Sequence, residues 1–216
     1  MVRLPNGTFW VETEEPLPDT KLTPDHGVLA IGGSMSGPYL IEAYKKGIFP
    51  WNDPQDSTLW WYPPERMVIT KDSLHVSKSM RKVLRDKLFT ITINKAFDQV
   101  LQGCARKGED TWLHDALMKG LVEAHVAGVA MSVEAWQGEK LVGGLFGMHL
   151  GHFFSGDSMF SWVPNASKAA FITFAMQAFS EGLSFIDCQV PSAHLQSLGG
   201  KTINRKYFEK LLSHGN

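Results

Sequence analysis

Ser184-Phe185-Ile186-Asp187-Cys188-Gln189, followed by His194-Leu195-Gln196-Ser197-Leu198-Gly199-Gly200, is the stretch on which the reading of this chain turns. It reads as an apolar strand carrying two hydrogen-bonding side chains. Side chains of an extended strand alternate, so Asp187 and Gln189 share one face while Ile186 and Cys188 share the other. A carboxylate beside Phe and Ile must be paired, solvated or used, because burying it unpaired costs several kcal/mol, a large part of a domain's stability. The segment is therefore a candidate site. An Asp that bonds a turn at a strand end gives the same local pattern, and the segment alone does not separate the two.

Upstream of this strand, Asn165 is expected to cap a helix whose Phe171, Phe174, Ala175, Ala178 and Phe179 recur at helical spacing, and Gly182 closes it. Before it, Ser132–Trp136, Leu141–Phe146 and His149–Phe154 read as three strands of an antiparallel meander, turned at Gly138-Glu139-Lys140 and broken at Gly147. Earlier still come a helix over 77–86, a strand over 89–93, and helices over 95–104 and 115–127. A last short helix begins near Asn204. The N-terminal quarter is rich in Pro, Gly and Trp: an apolar run at 27–33, a helix opened by Ser36-Gly37-Pro38 and stopped at Gly47, and an aromatic cluster of Phe49, Trp51, Trp60, Trp61 and Tyr62. Pro63-Pro64 is the expected boundary, giving domains 1–64 and 65–216. The layout is α+β, with helices flanking a mixed sheet.

With 216 residues, 44% of them hydrophobic, the chain is long enough for a full core. The N-terminus has no apolar leader and no apolar run is long enough to span a bilayer, so a cytoplasmic protein is expected. Cys104 and Cys188 form no CxxC pair and the His residues show no HExxH spacing, so neither a disulfide framework nor a metal is expected. The net charge of −1 gives no global sign of a nucleic-acid partner. Locally, Lys78, Arg81, Lys82 and Arg85 fall at i, i+3, i+4, i+7 behind the candidate cap Ser77. Met80, Val83 and Leu84 form the opposite, buried stripe. Such a basic stripe suits a phosphate backbone, although a solvated face without a partner looks the same in sequence.

Taken together, GVLAIGG at 27–33, AYKKGIFPW at 43–51, LWWYPPER at 59–66, HVSKSMRKVLR at 75–85, TWL at 111–113, SVEAW at 132–136, LVGGLFG at 141–147, GDSMFS at 156–161, NASK at 165–168, IDCQ at 186–189 and HLQSLGG at 194–200 with Ile203, Arg205 and Phe208 resemble the leucyl/phenylalanyl-tRNA–protein transferases in family order. That resemblance implies a small N-terminal domain followed by an acetyltransferase-like (GNAT-type) domain with a mixed, largely antiparallel sheet. It implies an aminoacyltransferase that moves Leu, Phe or, less well, Met from charged tRNA to the α-amine of proteins with N-terminal Arg or Lys, creating a degradation signal. No cofactor is implied, and a monomer is expected. By the same resemblance Asp187 holds and polarises Gln189, and this catalytic pair accepts or orients the amine. Asp157 meets the acceptor's N-terminal residue. Trp51, Trp112, Phe154, Met159, Phe174 and Ile186 wall the aminoacyl pocket and its adenosine approach, and Lys78, Arg81, Lys82 and Arg85 contact tRNA.

The chain departs from the usual family pattern at Asp157, where Glu is usual, at Met131, Gly120 and Ser34-Met35. Three other readings compete. An acyl-CoA-dependent N-acetyltransferase needs a pyrophosphate loop, for which Gln196-Ser197-Leu198-Gly199-Gly200-Lys201 is the nearest candidate. A cysteine hydrolase needs Cys188 and His194, but alternation turns Cys188 away from the Asp187 face. The third is a tRNA-binding homologue without catalysis.

Overall fold

The computed structural model describes residues 1–13, 15–51, 57–105 and 112–213, so Thr111 of the TWL motif lies outside it. Two sheets carry the chain. The N-terminal one joins β1 (Val2–Arg3), β2 (Phe9–Val11), β3 (Val28–Gly32), β4 (Phe49–Pro50) and β5 (Leu59–Trp61) in the order β1-β2-β3-β5-β4. It is backed by α1 (Gly37–Lys45), which has Pro38 in its first turn, where a missing N–H costs nothing. Across Pro63-Pro64 the chain enters a seven-stranded sheet made from β6 (Glu65–Ile69), β7 (Thr90–Ile93), β8 (Ala130–Gln137), β9 (Lys140–Leu150), β10 (Phe153–Ser161), β11 (Phe185–Asp187) and β12 (Lys201–Asn204). Its order is β12-β6-β11-β10-β9-β8-β7. All neighbours are antiparallel except β10 and β11, the parallel pair joined by the crossover helix α5 (Ala166–Ser180). The remaining helices are α2 (Lys78–Arg85), α3 (Phe97–Ala105), α4 (Asp115–Val126), α6 (Ala193–Ser197) and α7 (Arg205–Ser213). This is an α+β fold with a mixed, largely antiparallel sheet. Among the described residues no helix is long and apolar enough to cross a membrane.

Alternation along the strands divides the core. Val68, Phe153 and Phe185 fall in one apolar cluster with Phe208 of α7 and the N-terminal sheet, whereas Ile69, Phe154 and Ile186 fall in a second, built mainly on α5. The helix α5 is buried on several sides, as a core crossover should be.

Three expectations are corrected. The meander's last strand is β10 at 153–161, not 149–154, because β9 runs through Gly147 to Leu150 and turns at the left-handed Gly151. Gly147 is an interior strand residue: a Cβ there would lie 2.1 Å from the Ser155 carbonyl oxygen and 2.6 Å from the Phe154 ring. Asn165 precedes α5, but in a left-handed conformation and without a side-chain capping bond. The Ser161 hydroxyl instead accepts the Ser167 N–H at 3.1 Å. Finally, the strand that carries Asp187 ends at Asp187 and Gln189 beyond it is left-handed, although the two side chains still meet at the Ser155 hydroxyl.

Gly120 has a packing reason. A Cβ there would fall 1.8 Å from the Met35 carbonyl oxygen, so the crossing of α4 with the segment leading into α1 requires the bare backbone.

Candidate active site

Arg66 on β6 faces Asp187 on β11 from inside the first cluster. Its Nε donates to Asp187 Oδ1 at 2.8 Å and its Nη2 to Oδ2 at 2.6 Å, with both side chains almost wholly buried. The guanidinium is held between the rings of Phe49 at 4.7 Å and Phe208 at 4.4 Å, and Nη2 also reaches the Gly47 carbonyl at 2.8 Å. A bidentate pair satisfies the Asp187 charge and fixes its plane. Oδ1 also accepts the Gln189 backbone N–H at 2.9 Å, and Oδ2 the Ser155 hydroxyl at 3.4 Å.

After Asp187 the backbone is held to β6 by Cys188 N–H to the Met67 carbonyl at 2.8 Å and Met67 N–H to the Gln189 carbonyl at 3.1 Å. Gln189 itself is left-handed, with φ 60°, a conformation a residue with a Cβ adopts only when its surroundings over-determine it. Its side-chain amide does not touch Asp187; it donates to Asp157 Oδ1 at 2.7 Å and, more weakly, to the Ser155 hydroxyl at 3.4 Å.

Asp157 is the extra residue of a bulge: Gly156 pairs with Gly147 and Ser158 with Phe146, leaving Asp157 without a partner across the ladder. The bulge aims its carboxyl at the Gln189 amide and at the buried Tyr44 of α1, whose hydroxyl also donates to Oδ1, at 2.7 Å. Oδ2 is shielded from solvent and accepts no hydrogen bond among the described residues. Burial, opposed by the two donated bonds, pushes the Asp157 carboxyl up to about 7. Burial and the Asp157 charge keep the Tyr44 phenol well above its ordinary range, so it remains a donor.

Asp157 lies on the wall of an open cavity of about 270 Å³. The walls are apolar, from Leu145, Phe146, Phe154, Met159, Phe171 and Ile186, with Cys188, Ser192, His194 and Leu195 also lining it. Of the six residues expected to wall a pocket, Phe154, Met159 and Ile186 do so. Phe174 does not line it but meets the Phe154 ring edge-on at 4.7 Å. Trp51 is exposed, tilted against Trp61 at 5.8 Å, and Trp112 packs half-buried on the first core cluster. Asp187 does not line the cavity either: the cavity opens on the Ile186 and Cys188 face. Cys188 does face away from Asp187, and that is the cavity side. Its thiol donates only a long contact of 3.9 Å to the Ile186 carbonyl and is pushed up by burial, so it is a poor nucleophile. His194, exposed near the cavity, is shifted down by burial and by Lys168.

Lys78, Arg81, Lys82 and Arg85 are all exposed on α2, with Met80 buried beneath and Ser77 accepting the Met80 N–H at 3.2 Å. The Gln196–Lys201 segment leads into strand β12 and not into a helix, so it lacks the helix N-terminus that a pyrophosphate loop requires. Among the described residues no cluster of His, Cys, Asp and Glu could hold a metal ion. Tyr44, Arg66 and Ser155 were not singled out by sequence. Tyr44 and Arg66 sit inside quoted motifs, but no local rule ties residue 44 to 157 or 66 to 187.

An apolar cavity with an acid on its wall, beside a braced Arg66–Asp187 pair, is the candidate active site of this α+β fold. Residues 68–213 match the family model for leucyl/phenylalanyl-tRNA protein transferase, and residues 33–64 that of its N-terminal domain. A leucyl/phenylalanyl-tRNA–protein transferase of Flavobacterium johnsoniae is 48% identical over 192 residues, covering 87% of this chain and 91% of that protein. One of Pectobacterium carotovorum is 45% identical, covering 92% of this chain and 85% of that protein. The chain belongs to this family. Among solved structures, FemX overlays with a TM-score of 0.46 at 10% identity, covering 70% of this chain and 64% of that one. A GCN5-related N-acetyltransferase-like protein of Streptococcus suis overlays at 0.40, with 11% identity over 65% of this chain and 58% of that one.

Proposed function

We propose that this chain, an aminoacyl-tRNA–protein transferase by family, moves Leu, Phe and less readily Met from charged tRNA to the α-amine of proteins with N-terminal Arg or Lys, in the cytoplasm. The observation that carries this reading is the apolar cavity with Asp157 on its wall. Apolar walls with few polar groups suit an unbranched-Cβ aliphatic or aromatic side chain, and a shaped slot disfavours Val and Ile. Asp157 receives the acceptor's N-terminal residue. A cation drawn to that carboxylate makes a charge-assisted bond and favours its ionised form. Asp187 fixes the backbone of Gln189, whose amide orients the acceptor end.

Exposed Trp51 offers a stacking face for the terminal adenosine, with Trp112 on the same approach. The α2 stripe takes tRNA phosphates. Residues 1–64 act as the small domain and 65–216 as the catalytic one.

Transfer of labelled Leu and Phe from charged tRNA onto peptides beginning with Arg, Lys, Glu or Ala, with an acetyl-CoA control, tests this reading. Transfer confined to Arg and Lys peptides is expected. Acetylation, or tRNA binding without transfer, would overturn it. Replacing Lys78, Arg81, Lys82 and Arg85 by Gln should flatten the salt dependence of tRNA binding by about 0.7–0.9 in log–log slope per lost phosphate contact; an unchanged slope removes the stripe from the interface.

A further inference from the structure

We infer that Lys168 and His194, on the rim of the apolar cavity, hold the phosphate that precedes the terminal aminoacyl-adenosine of charged tRNA. This rests on the transferase reading above and adds the subsite that seats the 3′ end of the tRNA.

The geometry starts from α5. Phe171 of that helix lines the cavity, while its Ala169 and Thr173 line a groove shared with Val83 and Leu84 of α2. The helix α2 packs on α5, so α5 stands between the basic stripe and the cavity. Lys168 lies one turn before Phe171. Side chains three apart share a helix face and lean toward the N-terminus, which places half-buried Lys168 at the cavity rim. His194 lines the same cavity from α6. The two are close enough that the Lys168 charge, after burial, holds the His194 imidazole down.

Neither basic group is neutralised by the protein. Among the described residues Lys168 and His194 form no ion pair. Asp157, the carboxylate of the cavity wall, is turned to Tyr44 and Gln189 instead. An anion placed between the two takes a charge-assisted bond from Lys168 and an N–H from His194, since a neutral imidazole still donates one. The chemistry of the donor says which anion arrives there. With the aminoacyl side chain in the cavity, the ester stands at its mouth, the ribose follows, and the first phosphodiester comes one sugar later. A tRNA whose other phosphates lie on α2 crosses the first turns of α5 to reach that mouth, and Lys168 is on those turns. A phosphate contact of this kind fixes register and carries no sequence information.

The test uses the full chain with Lys168→Met, which keeps the apolar stem, and Lys168→Arg, which keeps the charge. The log–log salt slope of charged-tRNA binding should flatten by about 0.7 in Lys168→Met, the amount for one single-stranded phosphate, and hold its wild-type value in Lys168→Arg. Two unreactive amide analogues of phenylalanyl-adenosine, with and without a 5′-phosphate, localise the contact as inhibitors of transfer. The phosphate should tighten inhibition of wild type about tenfold, and this ratio should fall toward one in Lys168→Met and in His194→Ala. A salt slope that Lys168→Met leaves unchanged would overturn the inference, as would a phosphate that adds nothing to wild type or a ratio that both variants preserve. So would a Lys168→Met protein whose defect is confined to a raised KM for acceptor peptides with an acidic second residue, which would give the pair to the acceptor. Wild type that transfers nothing to an ordinary Arg peptide would instead defeat the transferase reading itself, and the salt slope would still decide the phosphate contact.

Discussion

The two aspartates of this site belong to one hydrogen-bonded network, joined through Gln189 and Ser155, and are treated in different ways. On the Phe185 side, Asp187 is paired, doubly bonded and walled in by Phe49 and Phe208 around Arg66. Asp157 is braced at one oxygen by Tyr44 and Gln189, and its other oxygen is shielded from solvent and accepts no hydrogen bond among the described residues. The same residue type is a wholly buried strut in one place and a half-buried cavity-wall residue in the other. What separates them is the number of donors: Asp187 accepts at both oxygens, Asp157 at one. A single bulge and a single left-handed residue link the two, so the strut sets the orientation of the Asp157 carboxyl through Gln189.

The comparison breaks most severely if the strut is cut. Arg66→Met leaves the Asp187 carboxylate buried without its partner, and the unfolding free energy in a denaturant titration should fall by about 3–5 kcal/mol. The double change Arg66→Met with Asp187→Leu should recover most of that loss, since two apolar side chains need no partner. If the double variant is no better than the single one, the loss came from packing on Phe49 and Phe208 and not from the stranded charge. For the same reason Asp187→Ala is a poor probe of catalysis: it strands the Arg66 guanidinium. Asp187→Asn, which keeps an acceptor for the Gln189 N–H, is the variant to assay.

A smaller loss is expected where α1 is seated. Tyr44 reaches Asp157 only because α1 lies close against α4, and the approach is closed by Gly120 under the Met35 carbonyl. Gly120→Ala should push the helices apart at a cost of about 1–3 kcal/mol, against the roughly 0.5–1 kcal/mol that Ala normally gains over Gly within a helix. If the Tyr44 bond depends on that seating, transfer should drop in the folded variant while charged-tRNA binding stays. A Gly120→Ala protein as stable as wild type would mean that α1 is not fixed by this contact.

Much of this was legible in the residues, and what was not follows one pattern. The helix α2 with its cap at Ser77 and exposed basic stripe, the β8–β9 hairpin and the crossover α5 all follow from local periodicity and turn chemistry. The misplacement of β10 came from reading Gly147 as punctuation, when it is a close-approach glycine whose neighbours, Phe154 and Ser155, belong to the next strand. Asp187 was readable as a carboxylate in need of a partner, but the partner, Arg66, is 121 positions away. The Tyr44 bond to Asp157 spans 113 positions. Contacts of that length are set by the order of strands in the sheet, which no window of sequence contains. The pocket walls divided in the same way: Phe154, Met159 and Ile186 lie on the strands that form the cavity, whereas Trp51 and Trp112 come from distant segments and do not line it.

The smallest effect should come from Cys188, and it is the sharpest control on the contrast between a paired and a half-satisfied carboxylate. Cys188 shares the cavity wall with Asp157 and His194, so position alone would allow it to be a nucleophile. Its environment argues otherwise: burial, with the Asp187 charge behind it, pushes the thiol up, and its hydrogen-bond contact is a long one to the Ile186 carbonyl. A thiol held that way carries almost no thiolate at neutral pH, and the thiolate is the reactive form. Cys188→Ala should therefore keep Leu and Phe transfer close to wild type, with a stability loss of about 1 kcal/mol or less for the one heavy atom removed. A variant that folds, binds charged tRNA and transfers nothing would place the chemistry on the sulfur.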